Sequence, residues 1–225
     1  MVFNGEIYNY KEIRSLIKNK YWKTNSDSEV ILEAFVKWGL NFVEKLNGMF
    51  AIAIYDKIED KLHLFRDRMG IKPLYYYHKE DQFIFASEIK SIKSLNIDLS
   101  IDQVSIVSYL HLGYIPKPNS IYNEIKKIKS GTYLTFEKGM VKEHNYWDSN
   151  RQLKEKTIIN FKEAKIKLTS LIHDSIEKRL ISDVPLGTFL SGGTDSSLIT
   201  ALAQKINSKP INTFSIGFKE LKYNE

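Results

Sequence analysis

The 225 residues leave room for one large domain or two small ones, and 43% hydrophobic content with 12 Phe, 13 Tyr and 3 Trp supports a packed core rather than disorder. A net charge of +6 is carried by scattered lysines, and the densest basic cluster, Lys126-Lys127-Ile128-Lys129, reads as a solvated face rather than a nucleic-acid patch. Cysteine is absent, which excludes disulfides, thiolate metal sites and a cysteine nucleophile within these residues. No apolar run approaches a membrane span, and the first residues, with Asn4 and Glu6, lack signal-peptide character, so the expectation is a cytoplasmic protein without membrane or nucleic-acid partners.

In chain order, residues 1–10 read as a strand and turn. A helix follows from about Tyr10 to Lys18, with Ile13, Leu16 and Ile17 on one face. Ser26-Asp27-Ser28-Glu29 matches a capping box opening a helix over Val30–Trp38, which Gly39 ends. Short strands are expected at Gly48–Tyr55, Lys61–Arg66, Leu74–Tyr77 and Gln82–Ala86, with Ser87 capping a short helix. Another helix near Ile101–His111 leads to a Pro116/Pro118 loop, then a hairpin of Gly131–Phe136 and Met140–Trp147. The polar stretch from Asp148 reads as a linker, closing at about residue 160. Beyond it lies an amphipathic helix from Phe161 to about Ser182, with Leu168, Leu171, Ile172, Ser175, Ile176 and Leu180 on one face. The hairpins predict an α+β first domain over 1–147. A strand, helix, strand succession from Leu186 predicts a parallel α/β second domain over 161–225.

That second domain holds the most informative stretch. A buried strand over Leu186–Leu190 runs into Ser191-Gly192-Gly193-Thr194-Asp195-Ser196-Ser197, followed by a helix from Ser197 toward Ile206. Such a turn aims backbone N–H groups and a positive helix end at one point, which suits phosphate or pyrophosphate. Adjacent glycines remove the Cβ atoms that would block an anion, and Asp195 supplies a carboxylate for Mg²⁺ beside the phosphates. It lacks the Gly-Lys-Ser/Thr ending of a Walker A loop and the third glycine of a Rossmann fingerprint. The bland alternative is a Ser/Gly turn capping an ordinary helix. The run resembles the pyrophosphate loop of the ATP-pyrophosphatase family.

A second constellation is Asn4-Gly5-Glu6 with Asp27. Asn4 offers an amide and Gly5 an unhindered N–H, the two donors an oxyanion hole needs, while Glu6 and Asp27 are acceptors for an ammonium group. On residues alone the structural reading is favoured: Asn-Gly is mostly a turn, and Asp27 belongs to a helix cap. The five histidines (His63, His78, His111, His144, His173) show no metal spacing.

Asn4-Gly-Glu-Ile-Tyr-Asn-Tyr10, Ser26-Asp-Ser-Glu-Val-Ile31, Leu46-Asn-Gly-Met-Phe-Ala51, Arg66-Asp-Arg-Met-Gly-Ile-Lys-Pro-Leu-Tyr-Tyr76, Phe85-Ala-Ser-Glu-Ile-Lys90 and the pyrophosphate loop occur in order. Together they resemble glutamine-hydrolysing asparagine synthetase over nearly the whole chain. The resemblance implies a class-2 glutamine amidotransferase domain of the N-terminal-nucleophile αββα fold, joined to an ATP-pyrophosphatase synthetase domain. It also implies glutamine binding by Asn4, Gly5, Glu6 and Asp27, with Asn4 and Gly5 as oxyanion hole. ATP would meet Leu190, Ser191, Gly192, Gly193, Asp195, Ser196 and Ile216, with Leu190 and Ile216 at the adenine, Asp195 on Mg²⁺, and aspartate as acceptor. Arg66, Asp67 and Arg68 read as structural charges organising the loop before Pro73, with the ammonia passage as the minority alternative.

The family's glutaminase acts through a cysteine at the mature N-terminus. With none here, the expectation is a fragment of both domains without glutaminase activity of its own and with little ATP turnover. The partner expected is a second copy or a complementing chain. Rival expectations are a sugar-carboxylate amidotransferase of surface polysaccharide synthesis, a cyclic-amide former, and a non-enzymatic remnant or partner-dependent subunit. A further rival is a structural sheet joined to a nucleotide-binding module.

Overall fold

The run Phe50-Ala-Ile-Ala-Ile54 alternates large and small apolar residues, and an extended chain converts that alternation into two unlike faces. It lies in strand β2, Gly48–Asp56. The computed structural model describes residues 1–18, 21–150, 160–182, 184–218 and 220. The chain divides into two compact units, Met1–Glu155 and Lys156–Glu225.

In the first unit β2 belongs to a five-stranded antiparallel sheet with β1 (Val2–Ile7), β3 (Lys61–Arg66), β7 (Thr132–Glu137) and β8 (Met140–Asn145), in the order β1-β2-β3-β7-β8. Phe50, Ile52 and Ile54 project to one side. There, with Phe65, they pack on Ile13 of α1 (Tyr10–Leu16), on Val30, Ile31 and Ala34 of α2 (Asp27–Trp38), and on Phe42 and Val43 of α3 (Phe42–Lys45). Ala51 and Ala53 project to the other side beside Leu64 and Leu134, and their small side chains admit a second sheet. That sheet contains β4 (Tyr75–Lys79), β5 (Gln82–Ala86) and β6 (Ile125–Lys127) in the order β5-β4-β6. Tyr76, Phe83 and Phe85 face inward, with Leu74 and Ile128 filling the space between the sheets. Tyr75, Tyr77, Ile84 and Ala86 face outward under Ile89 and Ile92 of α4 (Ile89–Lys93). The layers run helix, sheet, sheet, helix. A fifth helix, α5 (Gln103–Leu112), is capped by Asp102, whose carboxylate accepts from Val104 N–H at 3.1 Å.

Several local expectations are corrected. Helix α2 starts at Asp27, not Val30, with Ser26 accepting from Ser28 N–H at 3.1 Å. The capping box is not closed: the Glu29 carboxylate accepts from the N–H groups of Lys23 at 2.9 Å and Thr24 at 2.6 Å instead of from Ser26. Ser87 does not cap α4, whose N-cap is Glu88. Strand β6 was not foreseen, and it takes up part of the basic cluster. Lys126, Lys127 and Lys129 are half-buried there. Lys127 donates to the Ile115 carbonyl and Lys129 pairs with Glu143 at 2.7 Å, so the cluster is not a solvated face.

The second unit contains α6 (Phe161–Arg179), β9 (Gly187–Phe189), α7 (Thr194–Ile206) and β10 (Asn212–Phe214). Strands β9 and β10 pair in parallel, with Thr188 opposite Thr213 and Phe189 opposite Phe214. Helix α7 begins three residues before the expected Ser197, because Gly193 takes the cap position. The strand expected to be buried over Leu186–Leu190 is shorter and open to solvent, with Phe189 78% exposed. Thr188 alone turns inward, its hydroxyl 3.0 Å from that of Thr200. On α6 only Ile176 of the expected apolar face is buried, while Leu168 and Leu171 are exposed. Of the expected linker, residues 151–159 lie outside the described residues.

Between β3 and β4 the chain turns around one buried carboxylate. Asp67 is 1% exposed and accepts from four N–H groups: Phe50 at 3.2 Å, Met69 at 3.1 Å, Ile71 at 2.9 Å and Lys72 at 2.9 Å. Arg66 donates to the carbonyls of Lys72 (2.9 Å), Gly70 (2.9 Å) and Ile128, and Arg68 to those of Glu44 (2.7 Å) and Leu46. The charged triplet is structural, as its sequence suggests. Replacing Asp67 by Ala leaves one buried donor, the Phe50 N–H, and three part-buried ones without their acceptor and is expected to lower unfolding free energy by about 3 kcal/mol. Urea denaturation of Asp67→Ala against the parent chain measures this, and a loss below about 1 kcal/mol would contradict the reading.

His63 on β3 is 3% exposed, its Nδ1 3.0 Å from Thr135 Oγ1. Burial holds its pKa below the ordinary 6.5. The unfolded chain therefore binds more protons than the folded one below pH 6.5, and stability must fall as the pH drops through that value. Chemical denaturation between pH 7 and 5 should show a steeper loss for the parent than for His63→Gln; parallel curves would refute it.

Candidate functional site

Register places the first constellation. β1 pairs with β2 so that Asn4 faces Ala51, Gly5 faces Phe50, Glu6 faces Met49 and Ile7 faces Gly48. Phe50 directs both backbone groups away from β1: its N–H donates to Asp67 Oδ2, and its carbonyl accepts from Asp67 N–H at 3.0 Å. Opposed residues in an antiparallel pair turn their backbone groups either both inward or both outward. Gly5 therefore turns its N–H outward, and so does Ile7 two residues later. Among the described strands β1 has a neighbour on one side only, so these groups point out of the sheet edge.

The Ile7 N–H shows where that edge leads, donating to Asp27 Oδ2 at 3.1 Å. Asp27 is the first residue of α2. Its Oδ1 lies 3.5 Å from the hydroxyls of Ser26 and Ser28. The Gly5 N–H thus points out of the same edge at which Ile7 meets Asp27. Gly5 is required by close approach: a Cβ there would stand 2.1 Å from the Met49 carbonyl oxygen, and one on Gly48 2.2 Å from the Glu6 oxygen. Asn4 and Glu6 fall on the side of β1 shared with Ala51, between the sheets. Asn4 Nδ2 donates to Ser87 Oγ at 3.1 Å.

Three contributors were not assigned to this site from sequence. Asp67 sets the orientation of Phe50, and Ser87 holds the Asn4 amide. Asn9 closes the end of the strand pair, donating to the Lys45 carbonyl at 3.0 Å and accepting from Asn47 N–H at 2.8 Å. All three lie inside the ordered motifs, which was the available signal. A cavity of about 850 Å³ opens between α2 and the far ends of β2, β3 and β7, lined by Phe35, Ile54, Asp56 and His63, and touches none of the expected site residues.

In the second unit Leu190, Ser191, Gly192, Gly193, Asp195 and Ser196 form one connection between β9 and α7. Ser191 N–H donates to Ser196 Oγ at 3.3 Å, the two hydroxyls lie 3.1 Å apart, and Ser196 Oγ donates to the Gly193 carbonyl at 3.1 Å. The first intrahelical bond, Ser197 N–H to the Gly193 carbonyl, is 3.1 Å, so the helix itself offers no acceptor to the N–H groups of Thr194, Asp195 and Ser196. Gly192 has φ +94°, a conformation that favours glycine. Gly193 differs: a Cβ there would approach nothing in the protein closer than Ser191 Oγ at 3.7 Å. The protein leaves that space open at a helix start, which fits an anion. Leu190 N–H donates to the Phe214 carbonyl at 2.8 Å and Ser215 Oγ to the Leu190 carbonyl at 2.5 Å, which brings Leu190 beside the segment containing Ile216. Ile216 is 75% exposed.

The described residues contain no cluster of three His, Cys, Asp or Glu able to hold a metal. Asp195, alone and exposed in the first turn of α7, fits Mg²⁺ shared with phosphate oxygens, since that ion is commonly bound by one or two carboxylates plus substrate.

Comparison with known proteins bears on both sites. Residues 1–147 match a family model described as glutamine amidotransferase domain, and residues 167–225 one described as asparagine synthase. A putative asparagine synthetase [glutamine-hydrolyzing] 2 of Methanocaldococcus jannaschii is 38% identical over 231 residues, covering 100% of this chain and 44% of the relative. Asparagine synthetase [glutamine-hydrolyzing] 3 of Bacillus subtilis is 35% identical, covering 98% and 37%. Asparagine synthetase B [glutamine-hydrolyzing] of Escherichia coli is 32% identical, covering 94% and 33%. The chain thus spans less than half the length of these curated relatives. The solved structure of glutamine phosphoribosylpyrophosphate amidotransferase from B. subtilis superposes with TM-score 0.50 at 15% identity, covering 97% of this chain and 46% of that one, a likeness of fold. On the match across residues 1–147, with its asparagine synthase companion, the chain belongs to the glutamine amidotransferase family that the glutamine-hydrolysing asparagine synthetases represent.

Proposed function

We propose that these residues serve the ATP-dependent conversion of aspartate to asparagine with ammonia drawn from glutamine, releasing AMP and pyrophosphate. The observation that carries the reading is the edge of β1, where the Gly5 N–H and the Asp27 carboxylate share one line of outward-facing groups.

Glutamine lies along that edge with its α-ammonium on Asp27, which keeps acceptor capacity beyond the Ile7 N–H, and with Glu6 nearby. Its side-chain amide then reaches Gly5 N–H and Asn4 Nδ2–H. Both donors are fixed before the reaction begins, so stabilising a developing oxyanion needs little reorganisation. The attacking thiolate is not among these 225 residues, which contain no cysteine, so binding is the step this chain is tested for.

In the second unit the first-turn N–H groups of α7 and the hydroxyls of Ser191 and Ser196 receive the pyrophosphate portion of ATP, and Leu190 and Ile216 flank the adenine. Mg²⁺ held by Asp195 and the phosphates would supply charge neutralisation for the leaving pyrophosphate. Asp195 orients that ion, and the loop holds the phosphates through neutral donors. Aspartate as acceptor is supported by the names of the relatives.

Calorimetric titration of the 225-residue chain with l-glutamine should show binding that Asp27→Ala weakens about tenfold or more, the scale of a lost hydrogen bond to a charged group. Equal affinity in a folded variant would remove Asp27 from the site. ATP binding should strengthen with added Mg²⁺ in the parent chain and lose most of that dependence in Asp195→Asn. A variant that kept the full Mg²⁺ effect would overturn the assignment of Asp195.

A further inference from the structure

The geometry points to Ser87 as a positioning residue for the Asn4 side chain, an assignment that rests on the glutamine site proposed above. A side-chain amide has two chemically opposite ends, and its terminal torsion is broad and nearly two-fold. Asn4 is exposed, so the strand alone does not decide whether nitrogen or oxygen faces a ligand. An amide oxygen turned toward a developing oxyanion would repel it. The nitrogen stabilises it.

Ser87 follows directly on β5, at the end of the second sheet, and is half-buried. Its hydroxyl leaves the cap of α4 unfilled, since Glu88 holds the N-cap position without a side-chain hydrogen bond. It accepts instead from Asn4 Nδ2 at 3.1 Å, across 83 residues of sequence. One N–H of the amide is thereby anchored and the direction of the second is set. The bond also crosses from the five-stranded sheet to the end of the three-stranded one, so the orientation of the donor depends on how the sheets are stacked. Gly5 has its N–H direction fixed by backbone register; Ser87 does the equivalent for Asn4.

The test uses the ¹⁵N-labelled 225-residue chain and two probes. l-Glutamine reports the site as such, and l-glutamate places a charged oxygen where the oxyanion would form. In the parent chain, titration should shift the Asn4 side-chain NH₂ and the Gly5 N–H signals. Ser87→Ala should bind l-glutamate about fivefold more weakly, the scale of one hydrogen bond, with little change in melting temperature. Ser87→Thr, which keeps the hydroxyl, should restore the affinity. A mere tie between sheets would lower the melting temperature of Ser87→Ala and leave affinity alone. Unchanged l-glutamate affinity in Ser87→Ala, while Asp27→Ala still weakens l-glutamine, overturns the role of Ser87 and leaves the glutamine site standing. Absence of binding of either probe to the parent chain overturns both.

Discussion

The burial of the Asp67 carboxylate is the constraint on which the first unit depends. A carboxyl group taken out of water is tolerated only when other groups replace its hydration. Here four backbone N–H groups do so, three from the residues just after it and one from Phe50 on the neighbouring strand. The local donors fold the loop before Pro73. The distant donor locks that loop to β2, and the return bond from Asp67 N–H to the Phe50 carbonyl fixes the direction of both Phe50 groups. From there the consequence passes to β1, where Gly5 must direct its N–H outward. A buried side chain thus decides which way the Gly5 N–H points.

Arg66 and Arg68 extend the same scaffold by donating to carbonyls that no strand or helix satisfies. Tyr146 completes it from the end of the last hairpin, donating its hydroxyl to the Arg66 carbonyl at 2.7 Å. Burial raises the pKa of that phenol. The triplet is held too firmly by backbone to serve as a mobile binding group.

The two candidate sites are built on one physical idea. Backbone N–H groups are presented where regular structure cannot supply an acceptor, at a sheet edge in the first unit and at a helix start in the second. Glycine serves them differently, allowing close approach of another strand at Gly5 and leaving open space at Gly193. Carboxylates stand beside each, Asp27 and Asp195, both in the first turn of a helix. In the proposed function, neutral donors would meet developing or bound negative charge, and single carboxylates would meet cations.

Much of the arrangement was legible in residues 1–225 themselves. Alternation in Phe50–Ile54 encodes a strand with unlike faces, and Ser191-Gly-Gly-Thr-Asp-Ser-Ser197 encodes a strand-to-helix turn, because these patterns depend on neighbours in sequence. What sequence left undecided depends on distant partners. The capping signal at Ser26–Glu29 was real, yet Glu29 found donors at Lys23 and Thr24. Ser87 looked like a helix cap, but the stacking of two sheets gave it Asn4 as a nearer partner. Lys126–Lys129 looked solvated, but half-burial and pairing with Ile115 and Glu143 came from strand order. Local propensity determined the elements and the residue types at each site. Only the tertiary structure decided that Asp67, through Phe50, turns the Gly5 N–H outward at the edge where Ile7 meets Asp27, because that direction is set by register between strands and not by any run of residues.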